Sequence, residues 1–252
     1  MKTLFLILLL CFASCFVFAD DGNRLLREID QEVIFDTDFT AEYQVIQQHP
    51  GEGQTSQTLA MFRRDRDNKF TIVVMAPAID QGKGYLKVNN NLWFYDPNGG
   101  RFVLTSAKDR FQNSNARNSD FTRSSLALDY RVASIQKATL GSFQTQLLQL
   151  EATNDSVTFP HVKIWVTSDH LIRKREDYSL SGQLLRISAI PQYQKVGRHW
   201  VPVTMVIVDT LKGREIGGVY KNDTTIIKIS KPSLDAIPDL VFTQAYLQKV
   251  AR

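Results

Sequence analysis

Between residues 41 and 229 the chain is a succession of short runs rich in Val, Ile, Phe and Tyr, each ended by turn-forming residues. The runs at 41–48, 57–64, 69–76, 84–94 and 101–105 are separated by His49-Pro50-Gly51-Glu52-Gly53, Asp65-Arg66-Asp67-Asn68, Gln81-Gly82 and Asp96-Pro97-Asn98-Gly99-Gly100. The second half repeats the style, with runs at 131–137, 145–152, 161–168, 171–178, 184–194, 198–209, 214–220 and 223–229. Consecutive strands with short polar connections leave little choice but an antiparallel meander, because parallel strands need long crossovers. No low-complexity linker interrupts this pattern, so one mainly β domain of about eleven strands is expected.

Helical periodicity is confined to three places. Residues 20–33 put Leu25, Leu26 and Ile29 on one stripe. Residues 119–128 follow Ser119, a suitable N-cap, without Pro or Gly. Residues 238–250 start on Pro238 and space Phe242, Tyr246 and Val250 four apart, on one helical face.

Several strands lack the alternation of a half-solvated sheet. Phe70 to Met75, Leu92 to Tyr95 and Val201 to Val208 carry apolar residues on both faces. Two arrangements satisfy this. Protein elements cover both faces of the sheet, or the sheet curls into a barrel or half-barrel whose apolar interior holds a ligand.

The N-terminal segment points to export. Lys2 precedes an apolar run from Leu4 through Leu10 to Phe12, and Val17-Phe18-Ala19 places small or β-branched residues before Asp20. This is the pattern of a secretory signal peptide over residues 1–19, leaving residues 20–252 as the mature domain. The run is too short to span a bilayer comfortably, which argues against an uncleaved anchor. Phe12-Ala13-Ser14-Cys15 also forms a loose lipobox, so the alternative is a membrane-tethered lipoprotein held through Cys15. Cys11 and Cys15 are the two cysteines of the chain. Cleavage after Ala19 removes both, and with them any disulfide, thiolate metal site or cysteine nucleophile.

The net charge of +4 arises from 30 basic and 26 acidic residues that are well mixed. Arg63, Arg64 and Arg66 alternate with Asp65 and Asp67, and Arg173-Lys174-Arg175 runs into Glu176-Asp177. Neither stretch has the single-sign character of a nucleic-acid surface. His49, His161, His170 and His199 are scattered without metal-ligand spacing, and Asp36 with Asp38 reads as a turn or cap. There is no Gly-x-Ser-x-Gly elbow and no phosphate-binding loop. A binding protein that needs no cofactor or metal, not an enzyme, is expected.

One segment is specific enough to suggest a family. Gly84-Tyr85-Leu86-Lys87-Val88-Asn89-Asn90-Asn91-Leu92-Trp93-Phe94-Tyr95-Asp96-Pro97 resembles the LolA-type periplasmic lipoprotein carriers, with Asp96 where Asn is usual. The branch of outer-membrane lipoprotein-sorting proteins is closer still. Its pattern is matched by Pro77 with Gly82-Lys83-Gly84-Tyr85-Leu86, by Asn118-Ser119-Asp120-Phe121-Thr122 and by Leu128-Asp129-Tyr130. Further matches are Val162 to Val166, Arg173 to Glu176, Gly182 to Arg186, Phe242-Thr243 and Tyr246-Leu247. The likeness runs from Phe35 to Leu247; Asn118 stands where that branch usually has Gly.

The resemblance implies an incomplete, half-open antiparallel β-barrel of about eleven strands, with helices forming a lid over an apolar cavity. It also implies a periplasmic carrier that takes the acyl chains of lipoproteins, or lipids, from an inner-membrane ABC transporter to an outer-membrane acceptor. The alternative is an envelope lipid or lipoprotein sensor, or a glycolipid-binding module, of the same fold. The lining residues it suggests are Met61, Phe70, Ile72, Val74, Leu86, Trp93, Tyr95, Phe102, Leu104 and Trp165. Phe121 and Leu126 are expected in the lid, with Arg63 or Arg64 tying lid to barrel. A monomer that binds no nucleic acid is expected.

Overall fold

A computed structural model describes residues 21–251 of the chain. The expected leader, its expected cleavage point and both cysteines lie outside the described residues.

Thirteen strands form one antiparallel sheet in the order β6-β5-β4-β3-β2-β1-β13-β12-β11-β10-β9-β8-β7. The first six are β1 (Asp38–His49), β2 (Gly53–Arg64), β3 (Lys69–Ala76), β4 (Gly84–Val88), β5 (Asn91–Asp96) and β6 (Arg101–Leu104). The rest are β7 (Tyr130–Leu140), β8 (Phe143–Ala152), β9 (His161–Val166), β10 (Ile172–Tyr178), β11 (Leu184–Val196), β12 (His199–Ile216) and β13 (Val219–Ser233). The chain starts mid-sheet, meanders to one edge, crosses to the far edge and meanders back until β13 pairs with β1. The sheet is therefore open, its two edges β6 and β7 joined by residues 105–129.

The strand count exceeds the eleven or so expected, and the strands do not map one to one onto the apolar runs. The apolar run at 84–94 is a hairpin, because Asn89 takes a positive φ of 56° and turns the chain between β4 and β5. In the other direction, the runs at 198–209 and 214–220 belong partly to one long strand, β12, which carries a bulge between Val208 and Gly213. Gly213 permits that bulge, since a Cβ there would lie 2.2 Å from the Lys221 carbonyl oxygen. The tip is a two-residue turn in which Gly217 and Gly218 both have positive φ, as a type I′ hairpin requires. Further bulges in β13, β7 and β11 break the ladder where a sheet this wide must coil.

Residues 21–33 form helix α1, as their stripe predicts, and bury Leu26 and Ile29 against the inner face of β8 and β9 with Leu148, Leu150, Val162 and Ile164. Each such side chain contributes about 1.5–3 kcal/mol through burial. The other two helices are shorter than expected. Asp120, not Ser119, organises the middle segment: its carboxylate accepts from the Arg117 N–H at 2.7 Å. This gives a 3-10 turn, Asn118–Phe121, and then the one-turn helix α2, Leu126–Asp129. The C-terminal helix breaks at Thr243, whose hydroxyl caps α3 (Gln244–Val250) by accepting from the Tyr246 N–H, leaving Asp239–Phe242 as a separate 3-10 turn.

Both explanations of the doubly apolar strands hold, in different places. On the inner face, Phe39, Val45, Leu59, Met61, Phe70, Ile72, Ile207 and Ile227 form the main core. On the outer face, α3 covers β3–β5, where Leu247 is buried among Val73, Leu86 and Tyr95. Gly84 permits this approach, because a Cβ there would lie 2.6 Å from Leu247.

Candidate functional site

The inner face of the coiled sheet is filled in two places, by the main core under β1–β5 and by the α1 cluster over β8–β9. Between them remains a cavity of about 660 Å³, within the usual range for small-molecule sites. Its floor comes from β1, β12 and β13, through Phe39, Tyr43, Val201, Met205, Ile227 and Ile229. One wall is α1, with Ile29 and Val33, and the roof is the 119–126 segment with Phe121 and Leu126. The floor is thus apolar, as a hydrocarbon guest requires, whereas the roof sets Phe121 and Leu126 among the polar Ser119, Asp120, Thr122, Arg123, Ser124 and Ser125.

The far wall is charged and internally neutralised. The Arg186 guanidinium donates two bonds to the Asp120 carboxylate, at 2.7 and 2.8 Å, and a third to Asp177 at 2.5 Å. Arg175 donates to the other Asp177 oxygen at 2.6 Å. Asp177 is fully buried, and the Arg186 and Asp120 side chains are 6% and 12% exposed. Burial alone would raise the Asp120 carboxyl; the Arg186 charge and hydrogen bonds overcome it and hold that carboxyl below the usual range. The same pairing holds the Arg186 guanidinium above its ordinary value against its own burial. Asp120 belongs to the crossing segment and Arg186 to β11, so this ion pair pins roof to sheet. Asp30 of α1 pins it from the other side, accepting from the Leu126 and Ala127 N–H groups at 3.1 and 3.0 Å.

Phe121 and Leu126, named from sequence for a lid, both line the cavity from the 119–126 segment. Phe121 is buried at 4.4 Å from the Phe111 ring and 6.1 Å from the Tyr43 ring, and Leu126 joins the α1 cluster. The two arginines separate, because adjacent residues of a strand face opposite ways. Arg63 points inward, stacks over Phe35 and Phe39, and binds Asp65 at 2.9 and 2.6 Å. Arg64 points outward to Asp38, Asp239 and the Ile237 carbonyl, and so anchors the C-terminal segment, not the roof.

The ten lining residues fall elsewhere. Met61, Phe70, Ile72 and Val74 are inward but fully packed into the core beside the cavity. Leu86, Trp93, Tyr95 and Phe102 lie on the outer face with α3, and Leu104, the register partner of Trp93, is exposed. Trp165 alternates with the inward Val162, Ile164 and Val166 and carries Lys174 over its outer-facing ring. The correction has one cause: strand alternation yields two apolar sets, and the set under α3 is as hydrophobic as the inner one. The charged wall was missed for a different reason, since Asp120 and Arg186 meet only in three dimensions. Its trace in the sequence is that charged Arg175 and Asp177 occupy inward positions of β10.

Asn118, where the related branch has Gly, is buried and donates to the Ser106 carbonyl at 2.8 Å, stitching the crossing segment to itself. His199 is buried between Phe35 and Asp36, and His49 pairs with Asp223. Among the described residues no group of three or more His, Cys, Asp or Glu side chains is placed to hold a metal ion. No described helix is long and apolar enough to cross a membrane.

Comparison with known proteins agrees with this architecture. A family model described as "-like: Uncharacterized protein" matches residues 66–249. No curated protein matches by sequence. Among solved structures, a LolA superfamily protein from Nitrosomonas europaea is 21% identical with a TM-score of 0.75, over 89% of this chain and 98% of that one. A putative outer membrane lipoprotein-sorting protein domain from Vibrio parahaemolyticus is 16% identical, TM-score 0.79, over 91% and 99%. A DUF1329 family protein from Desulfovibrio piger is 18% identical, TM-score 0.80, over 92% and 99%. The fold is therefore that of the LolA superfamily.

Proposed function

This chain belongs to the family whose model matches residues 66–249, and we propose that it is an exported carrier that shelters acyl chains in the cavity under residues 119–126. The observation that carries this reading is a cavity of about 660 Å³ with an apolar floor and with Phe121 and Leu126 in its roof, set inside a fold shared with a putative lipoprotein-sorting protein domain. Each methylene moved from water into such a space gains about 0.8 kcal/mol. A guest of this kind is held by area, without specific polar contacts, and released when the roof lifts. The roof suits that role: it is a single connection between sheet edges, fastened at Asp120 and Asp30.

In this reading residues 1–19 are the leader, residues 20–252 work in the periplasm as a monomer, and the cargo is a lipoprotein or lipid. An inner-membrane ABC transporter would load it and an outer-membrane acceptor would unload it. Binding rather than catalysis fits a wall in which Arg175, Arg186, Asp120 and Asp177 are committed to one another.

The test is native mass spectrometry of the mature protein purified from its own envelope, with lipid extraction of any adduct. Acylated adducts, lost when the half-buried cavity residues Met205 or Ile190 are changed to Glu, support the carrier. A bare protein mass with no uptake of added lipopeptide refutes it.

A further inference from the structure

The cavity's charges are balanced along one wall and unbalanced at the opposite end. Lys87 and Arg123 both line the cavity there, next to the exposed Asn90. Lys87 points inward from β4, paired in register with the inward Phe70 and Leu92. Its ammonium donates to the Asn68 side-chain oxygen, a neutral acceptor. Neither Lys87 nor Arg123 forms an ion pair among the described residues.

The nearby carboxylate is already saturated. Asp65 accepts two bonds from Arg63 and one from the Phe35 N–H at 2.9 Å. Arg63 and Asp65 therefore cancel, and two positive charges remain side by side in a partly desolvated recess. Burial, then repulsion from Arg123, pushes the Lys87 ammonium down to about 8. A chain does not gain stability by placing two like charges together away from water; an anion that joins them repays the arrangement.

We propose that Lys87 and Arg123 bind a phosphate-type oxyanion, the headgroup of an acyl ligand whose chains occupy the cavity. Lysine supplies a point charge and arginine a planar two-donor fork, the pair of donors that phosphate oxygens accept best. The site rests on the carrier reading and narrows it: among ligands with equal chains, the anionic one is selected.

The experiment compares dioctanoyl phosphatidylglycerol with dioctanoylglycerol for binding to the mature chain by calorimetry, with inorganic phosphate and glycerol 3-phosphate as chain-free ligands. Lys87→Gln and Arg123→Gln are tested beside Lys69→Gln, a lysine already paired with Asp67. The anionic lipid is expected to bind about tenfold tighter than the neutral one, and each cavity variant to remove most of that preference. The neutral lipid should bind all proteins alike, which also shows that the variants fold. Equal binding of both lipids, or a preference indifferent to Lys87 and Arg123, overturns the headgroup site and leaves the carrier standing. Phosphate binding that needs Lys87, without lipid binding, keeps the anion site, assigns it to a free anion and overturns the carrier. No binding of any ligand overturns both.

Discussion

Replacing Arg186 with Met should loosen the roof far more than it loosens the sheet. The side chain is 6% exposed and holds two carboxylates, one of them fully buried. Its loss leaves Asp120 with the Arg117 N–H alone and Asp177 with Arg175 alone. Removing one member of a buried pair costs about 3–5 kcal/mol, mostly the price of the stranded charge. Asp120→Asn removes the other charge and keeps the shape, leaving Arg186 bound to Asp177; about 1–3 kcal/mol is expected. The double variant strands less charge than the sum implies, with a coupling of about 1–3 kcal/mol. Because Asp120 sits in the crossing segment, part of the loss should appear as local opening. Hydrogen exchange at the Phe121 and Thr122 amides should quicken about 5- to 150-fold, while the β2 and β3 amides slow-exchange as before. The pH dependence has a definite sign. Asp120 is held below its unfolded value, so its contribution is complete above about pH 4 and fades as pH falls through the folded value. Strict additivity of the two substitutions, or roof amides no faster than the sheet amides, would refute the idea that this pair is the latch.

Other consequences follow from particular contacts. Arg64→Met breaks the bonds to Asp38, Asp239 and Ile237, so urea unfolding should show a loss of about 3–5 kcal/mol, with lipid affinity unchanged in the folded fraction. Gly213→Ala sets a methyl against the Lys221 carbonyl and should lower the melting temperature by at least several degrees. Anion affinity measured across pH should be full below about 8 and fall above it, since the ligand favours charged Lys87, which faces Arg123, Arg63 and Asp65; Lys87→Gln should give a flat profile.

Much of this was legible in the sequence because turns and β-rich runs are local. The meander and the α1 stripe of Leu26 and Ile29 follow from neighbours in sequence, whereas Phe121 and Leu126 were named for a lid only through a resemblance carried by contiguous motifs. The orientation of each strand was not legible. Alternation separates Tyr85 from Leu86 and Leu92 from Trp93, but it cannot say which set faces in when α3 makes both faces apolar. Arg63 and Arg64 show the same ambiguity with charge. Leu247 against Gly84 resolves it, a contact between residues far apart in the chain that no local pattern encodes. The charged wall and the Lys87–Arg123 recess likewise arise only when the crossing segment closes over the sheet.

The most direct test of the carrier reading uses the three tryptophans. Trp200 lines the cavity, whereas Trp93 and Trp165 lie on the outer face of the sheet. Single-tryptophan proteins, made by changing the other two to Phe, would be titrated with a lipid brominated midway along its chain, a short-range quencher. The carrier reading predicts saturable quenching of Trp200 and none of Trp93 or Trp165. Quenching confined to the outer tryptophans, or absent from all three while the protein remains folded, would contradict it.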